Sequence, residues 1–412
     1  MRVLFTTWAW PSHLHAMVPL AWACRAAGHD VVVACQPGLV ADVRRTGLSY
    51  AVVGSDVDSA AMVAGYLLPT RRFGAPAAGP ARVEPGGVRI PRALQMFLAN
   101  TEAMAADIVE LAHGLAPDLV VHEPTAWAGT LAAAAAGVPA VRHLYGADLL
   151  YGARHLIQEL LAPLAQRWEL GALDPLGSVT VDPFPPSLQL YPEVQRIPVR
   201  YVSSSGFTEV PETPRRRPRR VCVSWGTTIG RMGESRMLAG EVARALHDTD
   251  AELVVAVDGR QRDQLGLVPP GVTVVVDAPL HAVAARCDVL VSHGGAGSVL
   301  VALAAGLPQL MVPQLPDHEA HATAVVTAGA GRLLAVDDVT PERIRSGVGA
   351  LLDDPRPRAA AGVVAAEMAR QPSPAALVPR LERLTATPDP RNTSPRNTAG
   401  NTTGGRPCPT PR

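Results

Sequence analysis

The sequence predicts an α/β protein of two tandem domains, each a parallel sheet covered by helices. Three observations lead there. Short β-branched runs alternate with helical stretches along almost the whole chain, the pattern of parallel α/β architecture. The series stops at a Ser-, Pro- and Arg-rich segment and starts afresh beyond it. The chain has 412 residues, enough for two ordinary domains with a core each.

In the first half, residues 2–6, 31–34, 50–53, 119–122 and 140–142 read as strands. Residues 14–27, 92–113 and 127–136 read as helices. They form a first Rossmann-like domain over residues 1–202. Its first β–α turn, residues 7–13, holds no glycine, which excludes a dinucleotide fingerprint. Residues 203–219 contain three consecutive serines, several prolines and an arginine cluster, and read as a linker. The cluster from Arg215 to Arg220 is a solvated hinge in this reading, not a nucleic-acid patch. Strands at 220–224, 253–257, 272–276, 289–292 and 309–312 build a second Rossmann-like domain over residues 220–370. Residues 374–384 have amphipathic helical spacing, within a C-terminal segment 371–384. Residues 385–412 are rich in Pro, Thr, Asn and Gly and are expected to be disordered.

Composition removes whole classes of function. Net charge is formally zero, so no global field draws the chain to nucleic acid or an anionic membrane. All 37 basic residues are arginine. Without a lysine amine there is no Schiff-base or pyridoxal-phosphate chemistry and no P-loop lysine. Five cysteines (Cys24, Cys35, Cys222, Cys287 and Cys408) are scattered without a CxxC pair, which indicates neither a disulfide framework nor a zinc site. No stretch is long and apolar enough to cross a bilayer; the Ala-rich run 126–141 is broken by Gly137 and Pro139. The chain opens directly on a strand, without a signal-peptide pattern, so a cytoplasmic location is expected.

The stretch richest in chemical meaning is Ser292-His293-Gly294-Gly295-Ala296-Gly297-Ser298, which follows the apolar run Val289-Leu290-Val291. A buried strand feeding a Gly-rich turn and a helix aims free backbone N–H groups, and the positive end of a dipole, at one point. That point suits a diphosphate. His293 can add a hydrogen bond. A close strand–helix connection beside a surface histidine would give the same letters.

Further residues decide between these readings. Downstream come Leu307-Pro308-Gln309-Leu310-Met311-Val312-Pro313-Gln314, then Asp317-His318-Glu319-Ala320-His321-Ala322, Gly329 and Gly331. With Val223-Ser224-Trp225-Gly226-Thr227, Ala278-Pro279-Leu280 and Ser12-His13, this order resembles the nucleotide-sugar signature of family 1 glycosyltransferases. The N-terminal block from Arg2 through Val18-Pro19-Leu20-Ala21-Trp22-Ala23 to Val31 resembles the branch that decorates actinomycete natural products with dTDP-activated deoxysugars. The resemblance covers nearly the whole chain except the tail. It implies a GT-B fold, with donor and acceptor meeting between the two domains, and a C-terminal helix crossing back to the first. It also implies inversion at the anomeric carbon in one displacement, and no cofactor beyond the co-substrate.

Site residues follow by position. His13 is the expected general base and Glu123 its orienting acceptor, with His122 as the fallback. The family usually carries aspartate at the latter position and glycine before the histidine; here Glu123 and Ser12 stand instead. The diphosphate is expected on His293, the amides of Gly295, Ala296 and Gly297, and Ser298, with Ser224, Gly226 and Thr227 approaching from the second domain's first turn. Such fixed donors stabilise charge that grows on the leaving group. Ala278 and Leu280 flank the base, and Asp317 and His318 meet the sugar. The family's usual residue at the last of these positions is glutamine, so His318 bears on sugar identity. The acceptor is expected against residues 59–97, with Phe73, Met96 and Phe97, plus Tyr145 and Tyr151, and residues 72–87 as a lid. Two Asp-x-Asp triplets, Asp56-Val57-Asp58 and Asp248-Thr249-Asp250, read as loop acids, and no metal is expected. Expected partners are a small-molecule aglycone and a nucleotide sugar; the resemblance also allows a homodimer and an auxiliary helper protein. Two other readings share the architecture: a sugar-nucleotide 2-epimerase, which needs extra acid/base carboxylates at the donor, and a non-catalytic nucleotide-sugar-binding partner.

Overall fold

The structure is a computed structural model and describes residues 1–64, 90–204, 209, 217–230 and 236–386. The first sheet has seven strands: β1 (Arg2–Thr7), β2 (Asp30–Cys35), β3 (Ser49–Val52), β4 (Leu119–His122), β5 (Ala140–His143), β6 (Val179–Asp182) and β7 (Ile197–Pro198). Their order is β3-β2-β1-β4-β5-β6-β7, and every pairing is parallel. The second sheet has six: β8 (Arg220–Ser224), β9 (Glu252–Val257), β10 (Thr273–Val276), β11 (Val289–Ser292), β12 (Gln309–Met311) and β13 (Gly331–Leu333). These run β10-β9-β8-β11-β12-β13, again all parallel. The central strands are fully buried, as continuous Val and Leu runs must be when helices cover both faces.

Both strand orders reverse direction once, β1 to β4 in the first sheet and β8 to β11 in the second. At such a switch point the chains leave neighbouring strands on opposite sides and open a crevice past the carboxyl edge. Thr6 lies opposite His122 in the first sheet and Ser224 opposite Ser292 in the second, so each pair of turns departs from one level.

Three strands escaped the sequence reading. β6 and β13 are short and carry polar residues, and β7 is two residues long. The first helix runs Pro11–Ala26, three residues earlier than read, because Pro11 with its fixed φ opens it. His13 therefore stands in a helical first turn. The hinge reading of Arg220 is corrected: its side chain is 1% exposed, and Nε and Nη2 donate to Glu252 Oε2 at 3.2 and 3.0 Å across the β8–β9 pair. Burial of an arginine is tolerated where the guanidinium fork meets a carboxylate. Most of the linker, residues 65–89 and residues 387–412 lie outside the described residues.

The two domains touch at several points. The C-terminal helix Pro374–Ala386 inserts Leu377, Val378 and Leu381 into the first domain's core beside Leu14, Val18 and Ala21. Ser187 donates to Glu367 through its N–H (2.9 Å) and its hydroxyl (2.5 Å). At the cleft, Ser12 Oγ and Thr228 Oγ1 are 3.3 Å apart. No helix of the described residues is long and apolar enough to cross a membrane.

Candidate active site

On the first domain's edge, His13 and Glu123 follow the adjacent strands β1 and β4. His13 Nδ1 lies 3.3 Å from Glu123 Oε2. Thr125, which the sequence reading missed, completes the arrangement. Its hydroxyl donates to Glu123 at 2.6–2.7 Å, accepts the Trp8 indole N–H at 2.7 Å and lies 3.3 Å from His13 Nδ1; its backbone N–H also donates to Glu123 Oε2 at 2.7 Å. With that hydroxyl proton committed, the His13 tautomer that fits carries its proton on Nδ1, toward the carboxylate, leaving Nε2 as the basic nitrogen. Glu123 is completely buried, which by itself raises its pKa. The adjacent His13 charge and hydrogen bond, with the two Thr125 donors, outweigh burial and hold the carboxyl below its ordinary value. The His13 ring is clamped: Tyr145 stacks on it at 4.1 Å and 16°, and Trp8 meets it edge-on at 5.7 Å. His122, the fallback, is fully enclosed, its pKa lowered to about 4 by burial. Its Cβ packs so closely on Gly129 that no side chain would fit there.

On the second domain's edge, the turns after β8 and β11 close around His293. Gly226 (φ +63°) and Gly294 (φ +81°) take left-handed conformations open chiefly to glycine. A Cβ on Gly226 would sit 2.4 Å from His293 Cε1, and one on Gly295 2.3 Å from Nε2. Gly295 caps the helix Ala296–Ala304, and no side-chain cap hydrogen bond closes that N-terminus. A Cβ on Gly297 would meet nothing within 4 Å, so this first turn faces open space. Ser298 and Ser224 are buried, Gly226 is half-buried and Thr227 exposed.

Three buried polar atoms here lack a hydrogen-bond partner: Trp225 Nε1, His293 Nδ1 and His318 Nδ1. Their rings adjoin, with His293 4.5 Å from His318 and 6.3 Å from Trp225. Each such atom costs about 1–3 kcal/mol when unpaired, so three together mark a place suited to a polar ligand. Burial, and then the His318 ring, push the His293 pKa well below its ordinary value, so the imidazole is neutral. His318 lies under His293, 3% exposed, while the neighbouring Asp317 carboxylate, 3.9 Å from its Nε2, is partly open. Ala278 and Leu280 are half-buried against the β8–β9–β11 core.

A second missed residue is His321. Its Nδ1 is 3.2 Å from the Gly294 carbonyl, and its Nε2 accepts the Ala147 N–H from the first domain at 3.1 Å. A run of polar letters on a helix gave no signal of that contact, which exists only once the domains close.

The acceptor residues divide. Tyr145 is on the base. Tyr151 packs on Tyr191 (5.1 Å) and under Arg154 (4.2 Å). Met96 and Phe97 are placed in the first domain's core, Phe97 supporting Trp8 at 6.2 Å and meeting Trp127 edge-on at 5.8 Å. Their apolar spacing on a 24-residue helix suits core packing, so acceptor contact is not what places them. Phe73 and the lid lie outside the described residues. Of the Asp-x-Asp triplets, Asp56 accepts from Gly38 N, Asp58 from Ala61 N, and Asp248 pairs with His247. Among the described residues, no group of three or more His, Cys, Asp or Glu could hold a metal ion.

Comparison with known proteins gives the family and the fold. Residues 22–226 match the N-terminal domain, and residues 240–384 the C-terminal domain, of the erythromycin biosynthesis protein CIII-like family. The chain is 35% identical to the 10-deoxymethynolide desosaminyltransferase of Streptomyces venezuelae, over 94% of this chain and 97% of that protein. Among solved structures, the spinosyn rhamnosyltransferase SpnG complexed with thymidine diphosphate superposes with a TM-score of 0.77 at 27% identity, over 93% of this chain and all of that one. The glycosyltransferase VinC in complex with dTDP gives 0.76 at 30% identity, over 94% of this chain and all of VinC. The chain thus belongs to the erythromycin biosynthesis protein CIII-like family, GT-B glycosyltransferases of family 1 in the actinomycete natural-product branch.

Proposed function

We propose that this glycosyltransferase moves a deoxysugar from a dTDP-sugar to a hydroxyl of a polyketide-type aglycone, with inversion and without a metal. The observation that carries the proposal is the His13–Glu123–Thr125 cluster at one switch point, paired with an uncapped helix N-terminus and unsatisfied imidazoles at the other. Relatives named as desosaminyl- and mycaminosyltransferases, and a neighbour complexed with thymidine diphosphate, support the donor class.

In this reading His13 Nε2 takes the acceptor proton as the oxygen attacks the sugar C1, and the C1–O bond to the diphosphate breaks. Such a base contributes about 10²–10⁴-fold. The proton rests on His13 before passing to solvent, and the Glu123 carboxylate offsets the imidazolium charge in between. The departing diphosphate gains charge where the Gly295–Ser298 amides and His293 already point, which supplies the neutralisation a metal gives elsewhere. Asp317 is open enough to reach sugar hydroxyls. His318, packed beneath His293, acts on the donor through that ring.

The experiment is transfer from dTDP-deoxysugars to macrolactone aglycones, read by mass and by the anomeric coupling of the product, with and without EDTA. The proposal expects an inverted glycoside formed at the same rate in EDTA. Retention, or loss of activity in EDTA restored by a divalent ion, contradicts it.

A further inference from the structure

Tyr145, Gly146, Ala147 and Asp148 form a short loop that leaves β5 and reaches both halves of the site. At one end the Tyr145 ring lies on the base, His13. At the other, Asp148 is locked in a buried network: it accepts from Arg142 Nη1 (3.1 Å) and Nη2 (2.7 Å) and from Arg196 Nη2 (3.3 Å), while its own N–H donates to Gln189 Oε1 at 2.8 Å. Gln189 Nε2 in turn donates to Asp182 at 2.8 Å and reaches the Gly146 carbonyl at 3.4 Å. A loop held this way moves as one piece.

Between those ends it meets the second domain at the His321 imidazole, beside Ala296 and the apolar side chains of Val299 and Leu300. Ala147 N–H donates to His321 Nε2, which fixes the proton on Nδ1, where it is donated to the Gly294 carbonyl. Gly294 is the left-handed residue that shapes the diphosphate turn. The approach is tight: a Cβ on Gly146 would lie 2.4 Å from His321 Nε2 and 3.0 Å from Ala296 Cβ. His321 is fully buried and held neutral by that burial, so both bonds stay in place at neutral pH.

We infer that His321 is a positioning residue that ties the donor turn to the loop carrying Tyr145, so that an occupied donor site steadies the base. The inference rests on the donor reading of the Gly294–Ser298 turn. It is also specific about atoms. Asparagine at this position places an amide where Nδ1 stands and keeps only the Gly294 bond; glutamine places an oxygen where Nε2 stands and keeps only the Ala147 bond.

The test measures dTDP affinity by calorimetry and, in the same samples, hydrogen exchange in peptides spanning residues 143–151. In the wild type, dTDP is expected to slow exchange there roughly tenfold. His321→Ala is expected to weaken dTDP binding several-fold and to remove that slowing, with transfer falling roughly ten- to hundredfold for two buried groups left unpaired. His321→Asn should keep near-normal dTDP affinity yet lose the slowing, whereas His321→Gln, which gives up the Gly294 bond, should weaken dTDP binding and lose the slowing while its Ala147 bond holds the loop as in the free wild type. Gly146→Ala, in the other domain, should behave like His321→Asn, and its effect should shrink in a His321→Ala background because the colliding ring is gone. A purely structural role predicts equal losses for all four, without this split. The inference is overturned if folded His321→Ala binds dTDP and still shows wild-type slowing, or if dTDP binds the wild type without slowing exchange at 143–151. If the wild type binds no dTDP, the donor reading falls first and this inference falls with it.

Discussion

At the residue scale, four side chains, Glu123, Thr125, Trp8 and Tyr145, surround the His13 imidazole. As the proposed base, His13 contacts Glu123, Thr125 and Tyr145 of its own domain, so His13→Ala should lower transfer by about 10²–10⁴-fold while leaving dTDP binding intact; calorimetry beside the transfer assay separates the two. Thr125→Val keeps the volume but strands the Trp8 indole N–H and removes a Glu123 donor. It should cost about 1–3 kcal/mol in stability and lower kcat more than it raises KM, as thermal unfolding and steady-state kinetics would report. His13 and Glu123 were legible in the sequence because each stands at a strand end beside a recognisable motif. Thr125 and Trp8 were not, since a hydroxyl and an indole become part of the dyad only when β1 and β4 lie side by side. Met96 and Phe97 show the converse: aromatic and sulfur side chains on a long amphipathic helix carry the same letters whether they line a pocket or fill a core.

At the scale of elements, the donor turn makes two glycines unequal. Gly226→Ala forces a Cβ into the His293 ring from a left-handed backbone, and should lower both the melting temperature and dTDP affinity. Gly297 lies in a helical first turn with space around it, where alanine gains up to about 1 kcal/mol of helix propensity. Gly297→Ala should therefore melt no lower than the wild type and yet bind dTDP less tightly, because its methyl enters the open space where the proposed function puts the diphosphate. Equal dTDP affinity would move the anion away from this turn. Buried apolar strands such as β8 and β11 were legible from composition, while β6, β7 and β13 were not, because their pairing comes from neighbours already in place and not from their own residues. The start of the first helix at Pro11 was likewise hidden, since reading its apolar periodicity placed the boundary at Leu14.

For the whole molecule, the clustering of neutral buried histidines has a consequence for acid stability. Burial lowers the pKa of His122 and His143 to about 4, and moves His15, His293, His318 and His321 in the same direction. An unfolded chain binds these protons near the ordinary value of 6.5, so between pH 6.5 and about 4 it holds more protons than the native state. Stability is therefore full above pH 6.5 and falls as the pH drops through that window. Scanning calorimetry should show the melting temperature decreasing steadily below pH 6.5; a flat profile down to pH 5 would contradict the burial of these rings. The two-domain architecture was legible because the same alternation of strand and helix is written twice. The C-terminal helix crossing to the first domain was expected from the family resemblance, but the cleft contacts of Ser12 with Thr228 and Ala147 with His321 were not legible, because each pairs single residues far apart in the chain. The most direct test of the central claim is calorimetric titration of dTDP and UDP into the wild type and into His293→Ala. dTDP is expected to bind the wild type more tightly than UDP does, and the variant to lose at least roughly tenfold in dTDP affinity for one charge-assisted hydrogen bond. Absent dTDP binding, or binding that His293→Ala leaves unchanged, would contradict it.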